Sequence, residues 1–184
     1  MLLDRSVITS FFRFFLFLER MQQRFIVKYF KSKFSVEFQF VAQGSGAVHI
    51  DGEIGNFSID PTSQLKSDCY VECKGQVRIG KCFHTGRGLT LLSSNHEYND
   101  PTTLPYGKNY SRKTTTINDF VWCGANVTIL PGSILEDGCI VAAGSVVRGC
   151  FSEGSILAGN PAVIVGRRDH LLFEQQLLNV GKKQ

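Results

Sequence analysis

Hydrophobic and small residues repeat every six positions between Asn118 and Arg148. Stepping by six gives an unbroken column of aliphatic or thiol side chains: Ile117, Cys123, Ile129, Leu135, Val141 and Val147. A second column is small or β-branched (Val121, Val127, Ser133, Cys139 and Ser145), and a third phase holds Gly132, Gly138 and Gly144. A period of six is neither the period of about 3.6 of a helix nor the period of about 2 of a strand. It indicates short strands joined by regular turns.

This period predicts an all-β solenoid, in which three hexads close one coil of a triangular parallel β-helix. The large column should point inward, and the glycines should supply positive φ angles at the turns. A weaker repeat through Val71, Val77 and Leu91 places coils at about residues 48–93 as well as 114–162. An ordinary sandwich of short strands is the alternative, although a strict phase of six is not typical of it.

The period disappears in residues 94–113, SNHEYNDPTTLPYGKNYSRK. This segment is polar, contains Pro101, Pro105 and Gly107, and has no inward column. Such a long excursion from a compact solenoid is usually functional. We therefore expect the chemistry of the protein to lie in this loop.

The two ends of the chain follow other patterns. Residues 6–33 predict a helix with Phe11, Phe14, Phe15, Leu18, Phe25 and Tyr29 on one face and Arg13, Arg20, Arg24, Lys28 and Lys31 on another. A membrane-surface helix and a helix that packs on the solenoid end or a neighbouring subunit both fit. Alternation from Phe34 to Phe40 predicts a lead-in strand, and DHLLFEQQLL a short C-terminal helix. We divide the chain into 1–45, 46–166 and 167–184.

Composition and charge limit the function classes. The chain has 184 residues, 43% of them hydrophobic, which is enough for one compact domain. Residues 1–33 hold seven Lys/Arg against two Asp/Glu, so the net charge of +4 divides into +5 there and −1 elsewhere. The main body therefore has no nucleic-acid footprint.

The chain also lacks the sequence marks of a membrane-spanning or secreted protein. Its longest apolar stretch, Phe11 to Leu18, contains Arg13 and is too short to span a bilayer. No cleavage site follows it, so we expect a retained N-terminus. The six cysteines form no CxxC pair, and we expect them to be reduced and buried. These features predict a cytoplasmic protein, with peripheral contact to the inner face of the membrane if residues 6–33 bind lipid.

Two segments resemble a known family. DFVWCGANVTILPGSILEDGCIVAAGSVV and SILAGNPAVIVGRR are similar to the closing coils and exit turn of the hexapeptide-repeat acyltransferases, in the branch of maltose, galactoside and polysaccharide O-acetyltransferases. The resemblance covers roughly residues 48–166. It implies a left-handed parallel β-helix, a homotrimer, acetyl-CoA as donor, and an active site between subunits beneath a loop that carries a histidine.

His96 is the candidate catalytic residue, because it is the histidine of the excursion and matches the family's loop. Neutral imidazole can take the proton of a sugar hydroxyl as its oxygen attacks a thioester, and return it to the departing thiolate. His49, His84 and His170 lie in repeat-like segments or the tail, where surface or packing roles are more common. Asn95 and Glu97 flank His96 and are candidates to orient its ring or contact substrate, or else are solvated loop residues.

The resemblance also assigns residues to the substrates. Trp122 directly precedes the inward-facing Cys123, so alternation should point it outward. The family has a tryptophan at this place, which favours a flat wall for a sugar face or the pantetheine arm over simple packing. The family's CoA contacts fall at Ala125 and Ala143, where small side chains let the arm approach the backbone. Arg148-Gly149 replaces the common Thr-Lys and Val163 a common basic residue. The cations for the phosphates are therefore expected among Arg148, Arg167 and Arg168.

Two rival functions remain open. A zinc enzyme similar to the γ-class carbonic anhydrases would need three histidines from neighbouring coils and subunits, which positions 49, 84, 96 and 170 do not offer. A non-catalytic trimeric scaffold would not need the loop histidine. For the acetyltransferase we expect no metal and a saccharide acceptor, a surface polysaccharide or its precursor.

Overall fold

A computed structural model describes residues 5–44 and 46–181. The outermost parts of the predicted segments 1–45 and 167–184, namely residues 1–4 and 182–184, lie outside this description, as does residue 45. Two α-helices flank the body, α1 (Arg5–Phe34) and α2 (His170–Gly181), and one 3-10 turn spans Ile54–Asn56. The predicted helix over residues 6–33 is confirmed in position, and so is the C-terminal helix.

Three parallel sheets form the body. The first contains, in spatial order, β1 (Gln39–Val41), β4 (Gln64–Lys66), β7 (His84–Thr85), β12 (Trp122–Cys123), β15 (Ile140–Val141), β18 (Ser155–Gly159) and the antiparallel β19 (Ala162–Arg167). The second contains β2 (Val48–Gly52), β5 (Cys69–Cys73), β8 (Thr90–Leu91), β13 (Thr128–Ile129) and β16 (Val146–Val147). The third contains β3 (Phe57–Ile59), β6 (Val77–Ile79), β11 (Thr115–Ile117), β14 (Ile134–Leu135) and β17 (Cys150–Phe151). Consecutive strands visit the three sheets in rotation.

The pairing of strands within each sheet follows the six-residue period of the sequence. Thr116 pairs with Ile134, Trp122 with Ile140 and Thr128 with Val146, each pair 18 residues apart. All members of the large column, from Ile117 to Val147, are at most 1% exposed, and so are those of the small column. Three hexads therefore make one circuit of the sheets, as predicted.

Two of the turn positions favour glycine, for two separate reasons. Gly132 and Gly138 have φ angles of +83° and +67°, which side chains with a Cβ rarely adopt. At Gly138 a Cβ would also lie 2.4 Å from Cζ of Phe173, which packs there from α2. The turn thus holds the C-terminal helix against the body.

The N-terminal helix is only partly packed. Phe30 is buried with Val36 and Phe38, and Ile26 and Phe34 pack against the same cluster at the end of the coil. Upstream of these last turns the large apolar side chains whose burial is described, from Phe11 to Phe25, are exposed. The packing alternative for residues 6–33 therefore holds for the last two turns. The lead-in strand is shorter than predicted, because Phe34 closes the helix and only Gln39–Val41 pairs with β4.

Two of the cysteines depart from the prediction. Cys69, Cys73, Cys123 and Cys139 are buried free thiols, whereas Cys82 is half-buried and Cys150 is exposed. The prediction that all six are buried was therefore wrong. Cys150 is paired at the edge of the third sheet with Ile134, which also faces outward, so its side chain leaves the core.

Candidate functional site

The excursion is a hairpin at its base rather than an irregular loop. Strand β9 (Ser94–His96) pairs antiparallel with β10 (Tyr110–Arg112), and His96 lies opposite Tyr110. The backbone N–H of Glu97 donates to the carbonyl of Asn109 at 3.0 Å, and that of Lys113 donates to Ser93 at 2.8 Å. These bonds fix the backbone on both sides of His96.

Two tyrosines hold the imidazole of His96. Its ring stacks on Tyr106 with centroids 3.8 Å apart, and the ring of Tyr110 lies 4.5 Å away at a tilt. The Nδ1 atom is buried and has no hydrogen-bond partner among the described residues. Aromatic packing therefore orients the ring, and Nε2 is the nitrogen left to meet a ligand. The two tyrosines were missed from the sequence, where only their aromatic character in a polar loop marked them.

A pocket of about 490 Å³ opens beside His96. One wall comes from the excursion itself, with Asn95, Glu97 and Tyr98. Other lining residues come from the repeat body, namely Leu130 and Pro131 of a turn and the exposed Arg148. Lys113, at the end of the hairpin, completes a rim that carries two cations and one carboxylate. The pocket lining thus combines a half-buried imidazole with charged, polar and apolar side chains.

Asn95 and Glu97 lie in the pocket wall, but neither bonds to the imidazole. The side-chain oxygen of Asn95 accepts the backbone N–H of His96 at 2.9 Å. Glu97 Oε1 accepts the backbone N–H of Asn99 at 3.1 Å. Both oxygens therefore shape the loop backbone, and contact with a substrate stays a prediction for these two residues.

Glu72 anchors the hairpin from the coil below, and sequence reasoning missed it. It is only 5% exposed, although it lies on the outward face of β5. Its carboxylate accepts the backbone N–H groups of Lys74, Ser93 and Ser94 at 2.9–3.0 Å and the Ser94 hydroxyl at 3.0 Å. Burial alone would raise the pKa of Glu72, but these hydrogen bonds to its charged form prevail and lower it. The carboxylate therefore ties the strand that carries His96 to β5 of the second sheet.

Trp122 lies on a different surface from His96 within one chain. Its side chain is 53% exposed, as predicted, and its strand places it beside His84 in the first sheet. Together with Arg168 and Phe173 it lines a groove of about 740 Å³ between that sheet and α2. The structure thus separates two predicted site residues into two pockets.

Ala125 and Ala143 lie one above the other at the corner between the first and second sheets. The N–H of Gly144 donates to the carbonyl of Ala125 at 2.9 Å, and a Cβ on Gly124 would lie 2.6 Å from the backbone nitrogen of Ala143. Ala143 is exposed and Ala125 is half-buried. The backbone at this corner is therefore accessible from outside, because the side chains of Ala125 and Ala143 are only methyl groups.

The three candidate arginines do not form one cluster. Arg148 lines the His96 pocket and makes no hydrogen bond or ion pair to the described residues. Arg167 donates to the Ser152 hydroxyl at 3.2 Å, and Arg168 Nε donates to the Gly138 carbonyl at 2.6 Å. The Arg168 guanidinium also lies over the Phe173 ring, 5.2 Å from its centroid. Arg148 is thus the most available of the three, whereas Arg168 helps to attach α2.

The described residues offer little support for a cysteine nucleophile or for a zinc site. Burial raises the pKa of Cys73 to about 11, and it also raises the pKa of Cys123 and Cys139, so these thiols are poor nucleophiles. Within residues 5–44 and 46–181 of one chain, no three His, Cys, Asp or Glu side chains are grouped as metal ligands. The zinc alternative therefore gains no ligand set from these residues.

Comparison with known proteins finds a family whose repeats match part of this chain. Residues 114–149 match the family model described as bacterial transferase hexapeptide (six repeats). Residues 114–149 therefore carry a run of repeats similar to those of this family. The match falls on the coils with the strictest six-residue period, in agreement with the resemblance noted in the sequence.

Curated proteins similar to this chain are named as acetyltransferases. One is an Escherichia coli protein named as a lipopolysaccharide biosynthesis O-acetyl transferase. The two chains are 34% identical over 114 residues, and the match covers 58% of each chain. This chain is also 35% identical over 106 residues to a macrolide acetyltransferase, so named, of Lysinibacillus sphaericus, covering 49% of this chain and 59% of that protein. The chain thus spans somewhat under three fifths of the length of these relatives.

Solved structures show that the hexapeptide-repeat fold is shared. A maltose O-acetyltransferase from Clostridium difficile superposes with a TM-score of 0.61 at 21% identity, over 71% of this chain and 67% of that one. A hexapeptide-repeat acetyltransferase from Vibrio cholerae gives a TM-score of 0.64 at 22% identity, over 76% and 77%. The parallel sheets of this chain therefore have the fold of these enzymes.

Proposed function

We propose that this chain is an acetyl-CoA-dependent O-acetyltransferase that acetylates a saccharide hydroxyl, with His96 as general base. The observation that carries the proposal is the imidazole of His96, held at the mouth of a pocket by an excursion from a hexapeptide-repeat body. The names of the relatives support the activity. The name of the Escherichia coli relative supports a surface polysaccharide or its precursor as acceptor.

In the proposed reaction, Nε2 of His96 takes the proton of the acceptor hydroxyl. The oxygen attacks the thioester carbonyl of acetyl-CoA, the bond from carbon to sulfur breaks, and His96 returns the proton to the thiolate. Such proton transfer contributes about 10²–10⁴-fold to a rate. Because stacking on Tyr106 and Tyr110 already orients the ring, little ordering remains to be done when substrate binds.

The donor fits the small-residue corner. Ala125 and Ala143 leave the backbone accessible, so the pantetheine amides of acetyl-CoA can pair with it there. Arg148, exposed and without a partner among the described residues, would hold a phosphate. Arg167 and Arg168 would have to give up their present hydrogen bonds to do so, and we place them second.

Purified protein tests the proposal directly. We expect thiol release from acetyl-CoA that depends on an added acceptor, when capsule and lipopolysaccharide fragments, free oligosaccharides and macrolides are screened. Acetyl-CoA binding by calorimetry is expected without acceptor. Binding with no turnover on any acceptor would contradict the saccharide assignment, and absence of binding would favour the scaffold.

We further propose that the coil is left-handed, that the protein is a homotrimer, and that neighbouring subunits complete the site. One chain separates His96 from Trp122, and a threefold assembly can bring the corner of one subunit to a sheet of the next. In this arrangement Trp122 of one subunit would face the His96 pocket of another. Residues 46–166 would form the trimerising body.

The trimer predicts that two inactive variants complement each other. His96→Ala and Trp122→Ala should each lose most activity, whereas trimers reassembled from an equal mixture should regain about a quarter of it, because one interface in four pairs two intact residues. Light scattering should give the mass of three chains. A monomer with full activity, or mixtures no more active than the single variants, would show that the site lies within one chain.

A further inference from the structure

The first turns of α1 expose a large aromatic surface. Phe11, Phe12 and Phe25 are 74%, 62% and 63% exposed, and Phe14, Phe15 and Phe17 are each more than half exposed. Only the last turns, around Phe30, pack on the body. Soluble surfaces rarely carry contiguous apolar patches of this kind without a partner.

The apolar surface wraps most of the way around the helix. At 3.6 residues per turn, the apolar positions from Phe11 to Leu18 cover about 260° of the circumference, interrupted on one side by Arg13. Farther along the helix, Arg24 and Lys28 continue that side and are exposed. A narrow basic stripe therefore borders a wide aromatic surface, and Lys or Arg on one side with Phe and Leu on the other are the residue types of helices that lie at a lipid interface.

The distribution of charge along the chain also favours an anionic lipid surface as the partner of α1. The excess of five positive charges in residues 1–33 is opposed by a body of net charge −1, too small to attract a basic helix of another copy. The cytoplasmic face of a membrane with anionic lipids attracts Lys and Arg by about 1 kcal/mol each. Anionic headgroups beside the basic stripe would thus add to the burial of the aromatic rings.

A helix pair between two copies fits the surface less well. A coiled-coil seam is a narrow stripe of aliphatic residues, and it would leave much of a 260° aromatic surface in water. The acyl region of a bilayer can cover a wider arc. Among the described residues, no helix has the length and apolarity needed to cross a bilayer.

We propose that residues 9–29 of α1 dock the protein on an anionic lipid surface, with the phenylalanines at the acyl boundary and Arg13, Arg24 and Lys28 against the headgroups. The packed last turns would then hold the solenoid at the membrane. This proposal does not depend on acetyl transfer, because it concerns a surface away from the His96 pocket.

Vesicle flotation of the full chain tests the docking. We expect binding to phosphatidylcholine vesicles that contain about one third phosphatidylserine, and weaker binding to phosphatidylcholine alone. The variant Phe11→Ser/Phe14→Ser/Phe15→Ser should bind neither. Arg13→Gln/Arg24→Gln should weaken binding to the anionic vesicles by about 30-fold, since about 1 kcal/mol per cation is about 5-fold.

Matched controls separate this surface from general stickiness. Leu171→Ser/Leu172→Ser/Leu178→Ser removes three exposed apolar side chains from α2, and Arg78→Gln/Lys81→Gln removes two exposed cations from the body. Both should float like the unchanged protein. If the phenylalanine variant fails to fold, hydrogen exchange of the unchanged chain decides: anionic vesicles should slow the amides of α1 and leave those of residues 114–149 unaffected.

Three results would overturn the proposal. The first is that the unchanged chain does not bind anionic vesicles. The second is an equal loss from the α2 control, which would show unspecific apolar adhesion. The third is a phenylalanine variant that keeps its vesicle binding but has a smaller mass by light scattering, which would assign the aromatic surface to a second copy.

Discussion

Replacing His96 by alanine should lower the rate of acetyl transfer by at least about 10²-fold, with the Kd for acetyl-CoA changed by less than about 2-fold. The imidazole is proposed to act on the acceptor proton in the transition state, whereas donor binding is proposed to rest on the small-residue corner and Arg148. Steady-state kinetics with thiol release and calorimetry with acetyl-CoA measure the two effects separately.

Two further variants make this test specific. His96→Phe keeps a ring between Tyr106 and Tyr110 but has no base, so it should be as inactive as His96→Ala and better folded. His49→Ala removes an exposed histidine from β2 and should stay within a few-fold of the unchanged rate. His84 is a poor control, because it lines the groove of Trp122. An active His96→Phe, or equal losses from His49 and His96, would remove His96 from the mechanism.

The stacked ring also changes the expected effect on stability. The sequence predicts that a loop histidine contributes no more than about 0.5 kcal/mol. The structure places the ring half-buried between two tyrosines, and such contacts contribute about 0.5–1.5 kcal/mol per pair. His96→Ala should therefore lower the stability of the hairpin as well as remove the imidazole. His96→Phe also removes the imidazole but keeps a ring against the tyrosines, so comparing the two variants separates the two effects.

The body of the fold was predictable because its signal is local in the chain. Each hexad places a buried side chain such as Ile129 inward and ends in a turn with a positive φ angle, which a glycine such as Gly132 supplies in the later hexads and Asn126 in an earlier one. The same regularity placed His96, since the excursion shows as an interruption of the period. Trp122 was placed outward by the alternation about its buried neighbour Cys123.

The remaining features depend on contacts between coils, which leave no periodic trace. Glu72 is buried only because residues 93–94 fold over it from 21 and 22 positions away. The sequence likewise did not show which of the three arginines is available to a ligand, since Arg168 donates to the carbonyl of Gly138, 30 residues earlier. No spacing rule separates a carboxylate that faces water from one that a later coil covers.

Removing the Glu72 carboxylate should therefore have the second large effect. Glu72→Ala leaves three backbone N–H groups without their acceptor beneath the hairpin, and each unsatisfied buried group costs about 1–3 kcal/mol before relaxation. We expect a loss of about 2–4 kcal/mol in the free energy of unfolding by urea titration. Glu136→Ala, which removes an exposed carboxylate that accepts the backbone N–H of Glu153, should cost well under half as much.

The effect on acetyl transfer distinguishes positioning from stability alone. Glu72 holds Ser94, two residues before His96, so its loss should misplace the base and lower kcat more than it raises KM for acetyl-CoA. Glu72→Gln keeps one acceptor oxygen and should restore part of both properties. A folded Glu72→Ala protein with unchanged kcat would show that the anchor supports the fold only.

The pH dependence of stability follows from the same hydrogen bonds. Because folding lowers the pKa of Glu72, the ionised carboxylate stabilises the folded state at every pH above its ordinary pKa of about 4.3. That stabilisation is lost progressively as the pH falls below this value and through the lower pKa of the folded state. Urea midpoints of the unchanged protein and Glu72→Gln should thus differ most at pH 6–7 and converge in acid. A gap that stays constant into acid would mean that the charge of Glu72 contributes nothing to the anchor, and that its hydrogen bonds act only through their geometry.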